Sequence, residues 1–183
     1  MQDHALESDF YYFAYGSCMC PVDLKRSLGE NVWRYVVGPA TLPGYRLGFY
    51  WQAPWRKSGT LDIVCDPKAL VHGVLYKLPQ CLSERLDARE AVAQGGYRHE
   101  AVDVFSGTQR FRNVRTYVVV DKLGQELAPD NAYCDVVMRG ALTCGLPEQY
   151  CWQLFEHMQR LQTHYQNRLG HPLKIPRSLW PTC

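Results

Sequence analysis

Five consecutive residues, Tyr15-Gly16-Ser17-Cys18-Met19, join a run of aromatics to a segment that can open a helix at Pro21. A strand-to-helix junction offers unpaired backbone N–H groups and the positive end of a helix dipole. With the Ser17 hydroxyl, these can hold a carboxylate or an oxyanion. Gly16 lets the backbone come close to a ligand. The same residues also fit a tight turn that merely caps the helix. A second pattern lies at Leu82, Leu86 and Glu90, which are four apart and share one face of a helix. A carboxylate in line with two leucines meets an apolar environment. Desolvation then favours its neutral form and raises its pKa, as a proton-transfer group working near neutrality requires. If the helix rotates slightly, Glu90 instead sits at the boundary, paired to a base. Arg85, Arg89, Glu84 and Asp87 fall off this stripe and are expected to face solvent.

Other polar groups are less distinctive. Gly96-Tyr97 opens a strand directly after the Glu90 helix, which brings Tyr97 towards that carboxylate. Tyr117 and Tyr133 are candidate pocket phenols, although with 12 tyrosines in the chain packing accounts for most of them. His72 lies among apolar neighbours and reads as a core or edge histidine. Cys18 at a helix N-terminus could be a thiol nucleophile of lowered pKa. A cysteine hydrolase also needs a histidine beside it, and no local signature supplies one. No P-loop, GxGxxG, HExxH or GxSxG is present, and the cysteine spacings miss the zinc patterns, so neither metal nor cofactor is expected.

These residues must be positioned by a chain of 183 residues, long enough for one domain. Twenty Lys+Arg against 18 Asp+Glu leave a formal charge of +2, which argues against nucleic-acid binding as the main activity. Met1–Phe10 lacks the basic and apolar regions of a secretory signal, and no run is long enough to span a bilayer. A cytoplasmic setting follows, in which the eight cysteines are free and mostly buried thiols. Residues 9–16 read as a strand and 21–28 as a helix ended by Gly29. Four strands follow between 31 and 78, broken by Pro and Gly at 38–44, 53–59 and 66–68. A helix over 80–94 precedes a hairpin of strands 97–105 and 110–120. Two helices close the chain, one ending at Gly145 and one running from Pro147 to about Leu169 with Tyr150, Leu154, Met158, Leu161 and Tyr165 on its core face. The expected organisation is an extension over 1–9, one domain over 10–169, and a proline-rich surface tail over 170–183. The fold class is α+β, with short-turn antiparallel strands able to curl into a small barrel.

As an ordered set, these pieces resemble the γ-glutamylcyclotransferase family. Phe13-Ala14-Tyr15-Gly16-Ser17 is similar to its N-terminal strand and loop. Gly59-Thr60-Leu61-Asp62-Ile63 and Val71-His72-Gly73-Val74-Leu75-Tyr76 resemble its central strands. Leu86-Asp87-Ala88-Arg89-Glu90 with Gly96-Tyr97 resembles the segment of its catalytic glutamate, and Tyr133 with Gly140-Ala141, Gly145-Leu146-Pro147 and Tyr150 its helical signature. The likeness spans about residues 10–155, with Cys18 standing where the family often has Asn. It implies a small mixed, largely antiparallel β-barrel with flanking helices and a cofactor-free, amide-cleaving reaction. In that reaction the α-amine of a γ-glutamyl amine or γ-glutamyl amino acid attacks its own γ-carbonyl and releases 5-oxoproline.

By this resemblance Glu90 is the general acid and base, Tyr15 to Met19 hold the substrate, and Tyr97, Tyr117 and Tyr133 line the pocket. The implied partner is a small γ-glutamyl substrate, with no nucleic acid and no membrane, and a homodimer is compatible with it. A biosynthetic amine is a narrower leaving group, which an acid-rich pocket mouth would favour. Two other readings stand beside this one: a non-catalytic small-molecule-binding or interaction domain on the same fold, and a Cys18 thiol hydrolase.

Overall fold

The structure is a computed structural model that describes residues 8–166. The aromatics after Ser8 form β1 (Asp9–Ala14), whose last three residues are buried. A 3-10 turn over Ser17–Met19 leads into α1 (Pro21–Leu28), where proline occupies the first turn and Leu24 and Leu28 face inward. Two long strands follow, β2 (Val36–Gln52) and β3 (Gly59–Pro79), and then the short α2 (Ser83–Arg89). The hairpin of β4 (Tyr97–Ser106) and β5 (Gln109–Val119) precedes α3 (Asn131–Thr143) and α4 (Glu148–Gln166). The five strands close into a barrel in the order β1-β3-β2-β4-β5. Neighbours are antiparallel except β1 and β5, which meet in parallel at Tyr12 and Arg115. The expected mixed, largely antiparallel barrel with flanking helices is therefore the architecture observed.

Three expectations are corrected. The four strands between 31 and 78 are two, because the first is mostly a 3-10 turn over Val32–Tyr35 and the breaks at 38–44 and 66–68 run on as bulged or locally unpaired strand. Register shifts lie between Val36 and Gly38, between Pro43 and Tyr45, and between Gly48 and Trp51. Pro39 and Pro43 are tolerated because β2 meets β4 only at Thr41 and Phe105, leaving one edge largely without ladder bonds to lose. Pro67 lies in the stretch of β3 between Cys65 and Leu70 that has no partner on β2.

The helix over 80–94 also stops early. Ala91 takes a left-handed conformation with φ 52°, the Gly96 N–H returns to its carbonyl at 2.9 Å, and Tyr97 N–H reaches the Glu90 carbonyl at 3.2 Å. That reversal places β4 beside the end of α2. An alanine in this conformation costs about 1–2 kcal/mol locally, which is why a good helix former gave no warning.

The thiols are the third correction. Cys18, Cys20, Cys134, Cys144 and Cys151 are free and buried, but Cys81 is exposed and Cys65 is disulfide-bonded. Cys65 is half-buried where β3 leaves its pairing with β2.

Side chains from all five strands fill the barrel, among them Phe13, Phe49, Ile63, Leu75, Val104 and Val114. On α4, Leu154 and Met158 are buried, and Tyr150 and Leu161 pack against the core. The side chain of Tyr165 and the tail over 170–183 lie outside the described residues. Helix α3 approaches the 3-10 turn closely. A Cβ on Gly140 would stand 2.5 Å from the Cys20 backbone nitrogen, so the contact requires glycine. The loop after β1 is thus clamped between the barrel and α3. Among the described residues no helix is long and apolar enough to cross a membrane.

Candidate functional site

The loop Tyr15–Cys18, the end of α2 and the hairpin β4–β5 meet around a cavity of about 520 Å³. Glu90 ends α2, its N–H bonded to the Leu86 carbonyl at 3.1 Å, and its carboxyl enters this cavity. Leu82 and Leu86 are buried behind it, as the spacing predicts. Burial pushes the Glu90 carboxyl above its usual range, against the opposing pull of a hydrogen bond from Cys18 and the charge of Arg89.

Cys18 lies at the centre of the polar cluster. Its thiol donates to Glu90 Oε1 at 3.0 Å and accepts from Arg89 Nε at 2.9 Å. Burial outweighs the nearby guanidinium and pushes the thiol up to about 12, so it is neutral at physiological pH. This overturns the lowered thiol pKa on which a Cys18 nucleophile depends. The short 3-10 turn supplies too little dipole to offset desolvation.

Arg89 is the clearest residue the sequence reading missed. It is not solvated, its side chain being 17% exposed. Its NH2 donates to Asp23 Oδ2 at 2.5 Å and Ser17 Oγ at 3.2 Å, and its NH1 to Ser27 Oγ at 2.6 Å. The guanidinium ties the turn, α1 and α2 together. It lies off the Leu82-Leu86-Glu90 stripe and is covered because α1 and the 3-10 turn pack on its side of α2, which no local pattern shows. Arg85 is exposed and donates to the Leu28 carbonyl at 2.7 Å, while Glu84 is exposed as expected. Asp87 is half-buried instead of solvent-facing. Burial pushes it up, but hydrogen bonds from Tyr117 and His99 prevail and hold it below the usual carboxylate range.

The tyrosines differ in where their protons go. Tyr15 donates to the Tyr117 carbonyl at 2.5 Å, Tyr117 to Asp87 Oδ1 at 2.5 Å, and Tyr97 to the Leu61 carbonyl at 2.8 Å. Tyr133 instead accepts from Leu61 N–H at 3.0 Å, which leaves its own O–H uncommitted beside the loop. A Cβ on Gly16 would lie 3.1 Å from that hydroxyl, so Gly16 serves this close approach. Burial raises all four phenols, which stay protonated at neutral pH.

Of the residues singled out from sequence, Tyr15, Gly16, Ser17, Cys18, Glu90, Tyr97, Tyr117 and Tyr133 all line the cavity. Met19 does not. It is fully buried under α3, and its carbonyl accepts from Tyr76 at 3.1 Å. The 3-10 turn has rotated it away from the opening. His72 packs its ring on Tyr150 at 4.5 Å, as a core-edge histidine does. Trp51, Trp55 and Arg56 also line the cavity and carried no motif in the sequence. With Arg26 they make the mouth aromatic and basic, not acid-rich. Among the described residues no three His, Cys, Asp or Glu side chains are gathered to hold a metal ion.

The model of the AIG2-like family matches residues 70–154. Over 155 residues the chain is 32% identical to "Putative gamma-glutamylcyclotransferase YkqA" of Bacillus subtilis (strain 168), covering 85% of this chain and 54% of that protein. The crystal structure of YkqA superposes with a TM-score of 0.76 at 31% identity, over 83% of this chain and 55% of the other. A solved gamma-glutamyl cyclotransferase shares the fold with a TM-score of 0.73 at 24% identity, over 80% of this chain and 86% of that one. The chain spans about half the length of the curated relative it matches. In sequence and in fold, the chain is similar to the AIG2-like, γ-glutamylcyclotransferase family.

Proposed function

We propose that the chain converts a γ-glutamyl amine or γ-glutamyl amino acid into 5-oxoproline and a free amine. The substrate's α-nitrogen bonds to its own γ-carbonyl carbon, and the bond from that carbon to the leaving nitrogen breaks. An α-ammonium gives up two protons on the way to the ring N–H, and the leaving nitrogen gains two as it departs as an ammonium. Glu90 carries them one at a time, accepting as a carboxylate and donating as an acid. The observation that supports this role most directly is a carboxyl raised by burial at the cavity wall, because the shift moves it from the ordinary carboxylate range towards what proton transfer in both directions requires.

The remaining groups divide the other tasks. Because Tyr15, Tyr97 and Tyr117 have committed their protons elsewhere, they present oxygen lone pairs that suit the substrate's ammonium. Tyr133, with a free proton, donates to the oxyanion that forms on the γ-carbonyl, together with N–H groups of the Ser17–Cys18 turn. The neutral Cys18 thiol orients Glu90 and is not a nucleophile. Holding the chain folded for ring closure provides the rest of the acceleration, since a well-oriented intramolecular attack can gain about 7–11 kcal/mol.

The test is to incubate the protein with a panel of γ-glutamyl amines and amino acids and to measure 5-oxoproline, with Glu90→Gln alongside. Release by the wild type and its loss in the variant support the reading. Full activity in Glu90→Gln overturns the assignment, free glutamate in place of 5-oxoproline indicates hydrolysis, and binding without turnover supports a non-catalytic module.

A further inference from the structure

The mouth of the cavity has a composition that the ring-closing chemistry does not use. Trp55 is 68% exposed, more than any other large apolar side chain among the described residues. It meets Trp51 edge-on at 6.1 Å, and Trp51 meets Tyr97 edge-on at 5.0 Å. An aromatic wall therefore runs from the Glu90 end of the cavity out to solvent. A tight turn, closed by Arg56 N–H to the Ala53 carbonyl at 2.9 Å, sets Arg56 next to Trp55. The Arg56 guanidinium lies over the Tyr133 ring at 5.5 Å, and its NH1 is shut off from solvent without a hydrogen-bond acceptor. The acid beside it, Asp130, stands off at 3.7 Å. Asp130 is occupied by Ser58 Oγ at 2.6 Å and Tyr133 N–H at 2.7 Å.

The acids on the cavity wall are also engaged. Asp23 pairs with Arg89 at 2.5 Å and with Arg26 at 3.7 Å, and Glu90 holds the Cys18 thiol. The Arg56 side chain is nevertheless 35% exposed and lines the cavity, so the edge of its guanidinium turned away from Asp130 can meet an arriving acceptor. A planar guanidinium is matched by a carboxylate, and an exposed indole by an aromatic ring.

We propose that Trp55 and Arg56 form a leaving-group subsite that selects a conjugate whose departing amine carries both a carboxylate and an aromatic ring. An aromatic amino acid fits this description, whereas a diamine or an aminosugar does not. The proposal rests on the cyclotransferase reading for which end of the substrate lies at the mouth. Its test is therefore made by binding, with probes that cannot react.

Glutaryl amides lack the attacking α-amine, so N-glutaryl-phenylalanine, N-glutaryl-phenethylamine, N-glutaryl-alanine and the N-glutaryl amide of 1,5-diaminopentane can be compared by calorimetry on the folded protein. The wild type is expected to bind the phenylalanine probe about tenfold more tightly than the phenethylamine probe. It should bind it about three- to tenfold more tightly than the alanine probe. Arg56→Gln should abolish the first ratio, with Arg56→Lys restoring part of it, and Trp55→Ala should abolish the second. Equal binding of the phenylalanine and phenethylamine probes, preference for the diamine, or no binding of any probe at millimolar concentration overturns the proposal. A separate arm measures 5-oxoproline from γ-glutamyl-phenylalanine. If none forms while the probes discriminate as expected, the cyclotransferase reading fails and the subsite stands.

Discussion

The Cys18 thiol and the Glu90 carboxyl, 72 residues apart in sequence, share a hydrogen bond of 3.0 Å, and the thiol is the donor. With Arg89 Nε donating to the same sulfur at 2.9 Å, Cys18 relays the position of a fixed cation to the carboxyl without neutralising it. Glu90→Gln keeps the acceptor oxygen and removes proton transfer. Its 5-oxoproline formation should fall by about 10²–10⁴-fold with the fold intact by circular dichroism. Cys18→Ser can still donate and accept and should retain activity within about tenfold, whereas Cys18→Val should lose more, because it strands both partners. At neutral pH iodoacetamide should leave Cys18 unmodified in the folded protein, as a thiol raised to about 12 predicts.

Glu90 also makes a pH-dependent contribution to stability. Its proton is held more tightly in the fold than in the unfolded chain, because burial raises its pKa from 4.5. That contribution is fully present below the unfolded value and is lost as pH rises through the raised folded value. Glu90→Gln should therefore gain stability relative to wild type with rising pH across this window and then level off. Urea midpoints measured for both proteins at a series of pH values check the sign. A difference that stays flat, or that falls with pH, contradicts the burial of the carboxyl.

Arg89→Ala removes the tie between the turn, α1 and α2 and leaves Asp23 without its 2.5 Å partner. Breaking a fully buried pair costs about 3–5 kcal/mol. Partial exposure of both side chains and the remaining contact of Asp23 with Arg26 reduce this to roughly 2–3 kcal/mol. Activity should drop in the same variant, since Cys18 and Ser17 lose their anchor. Chemical denaturation at fixed pH measures the first effect, and 5-oxoproline release under conditions that keep the variant folded measures the second.

Tyr133→Phe keeps the ring under Arg56 but removes the uncommitted proton. The loss of one oxyanion donor should lower kcat by about 10²–10³-fold with little change in KM. The variant also leaves Leu61 N–H without its acceptor, so its melting temperature should fall as well. Replacing Tyr133 with a fluorotyrosine separates the two effects, because the acceptor is retained while the hydroxyl becomes a stronger donor. A kcat that does not respond to the fluorination argues for a purely structural tyrosine.

Gly140→Ala tests the clamp on the loop. The added Cβ would meet backbone atoms of Cys20 and Met19 at 2.5 and 2.7 Å, which cannot rotate away as a side chain would. A cost of about 1–3 kcal/mol is expected from the overpacking. Activity should fall further than stability accounts for, since α3 then pushes on the residues that present Ser17 and Cys18. Thermal melts paired with kinetics on the folded fraction distinguish the two contributions.

Much of this arrangement was legible because it rests on local pattern. The aromatic strand ending at Gly16, proline opening α1, the hairpin at 106–109 and the Leu82-Leu86-Glu90 spacing each follow from short-range preferences. What stayed hidden depends on the chain's return path. Nothing local marks Ala91 as left-handed, and nothing local shows that α1 covers the side of α2 that carries Arg89. Pro39 and Pro43 look like breaks until β2 is known to have one edge nearly unpaired. Trp51, Trp55 and Arg56 acquire meaning only when β2 and β3 bring their connection over the cavity. The Cys65 disulfide breaks with the expectation of free thiols, which came from a reading of compartment and not from geometry.

The closure of the barrel has a mechanical consequence. Two broad ladders, one of β1, β2 and β3 and the other of β4 and β5, share the backbone pairs Tyr12–Arg115 and Thr41–Phe105, and bonds from Tyr15 to the Tyr117 carbonyl, from Thr116 to the Phe13 carbonyl and from Tyr97 to the Leu61 carbonyl also cross between them. Within each leaf the strands are held by continuous backbone ladders, while between the leaves side chains carry much of the connection. Tyr15, Cys18 and Thr60 belong to one leaf or its loops, and Tyr97 and Tyr117 to the other. The phenols that line the cavity are therefore also ties between the two leaves, so losing the Tyr15 or Tyr97 hydroxyl loosens the cavity wall and the barrel closure together. Each half holds part of the grip, and the grip itself helps to hold the halves together.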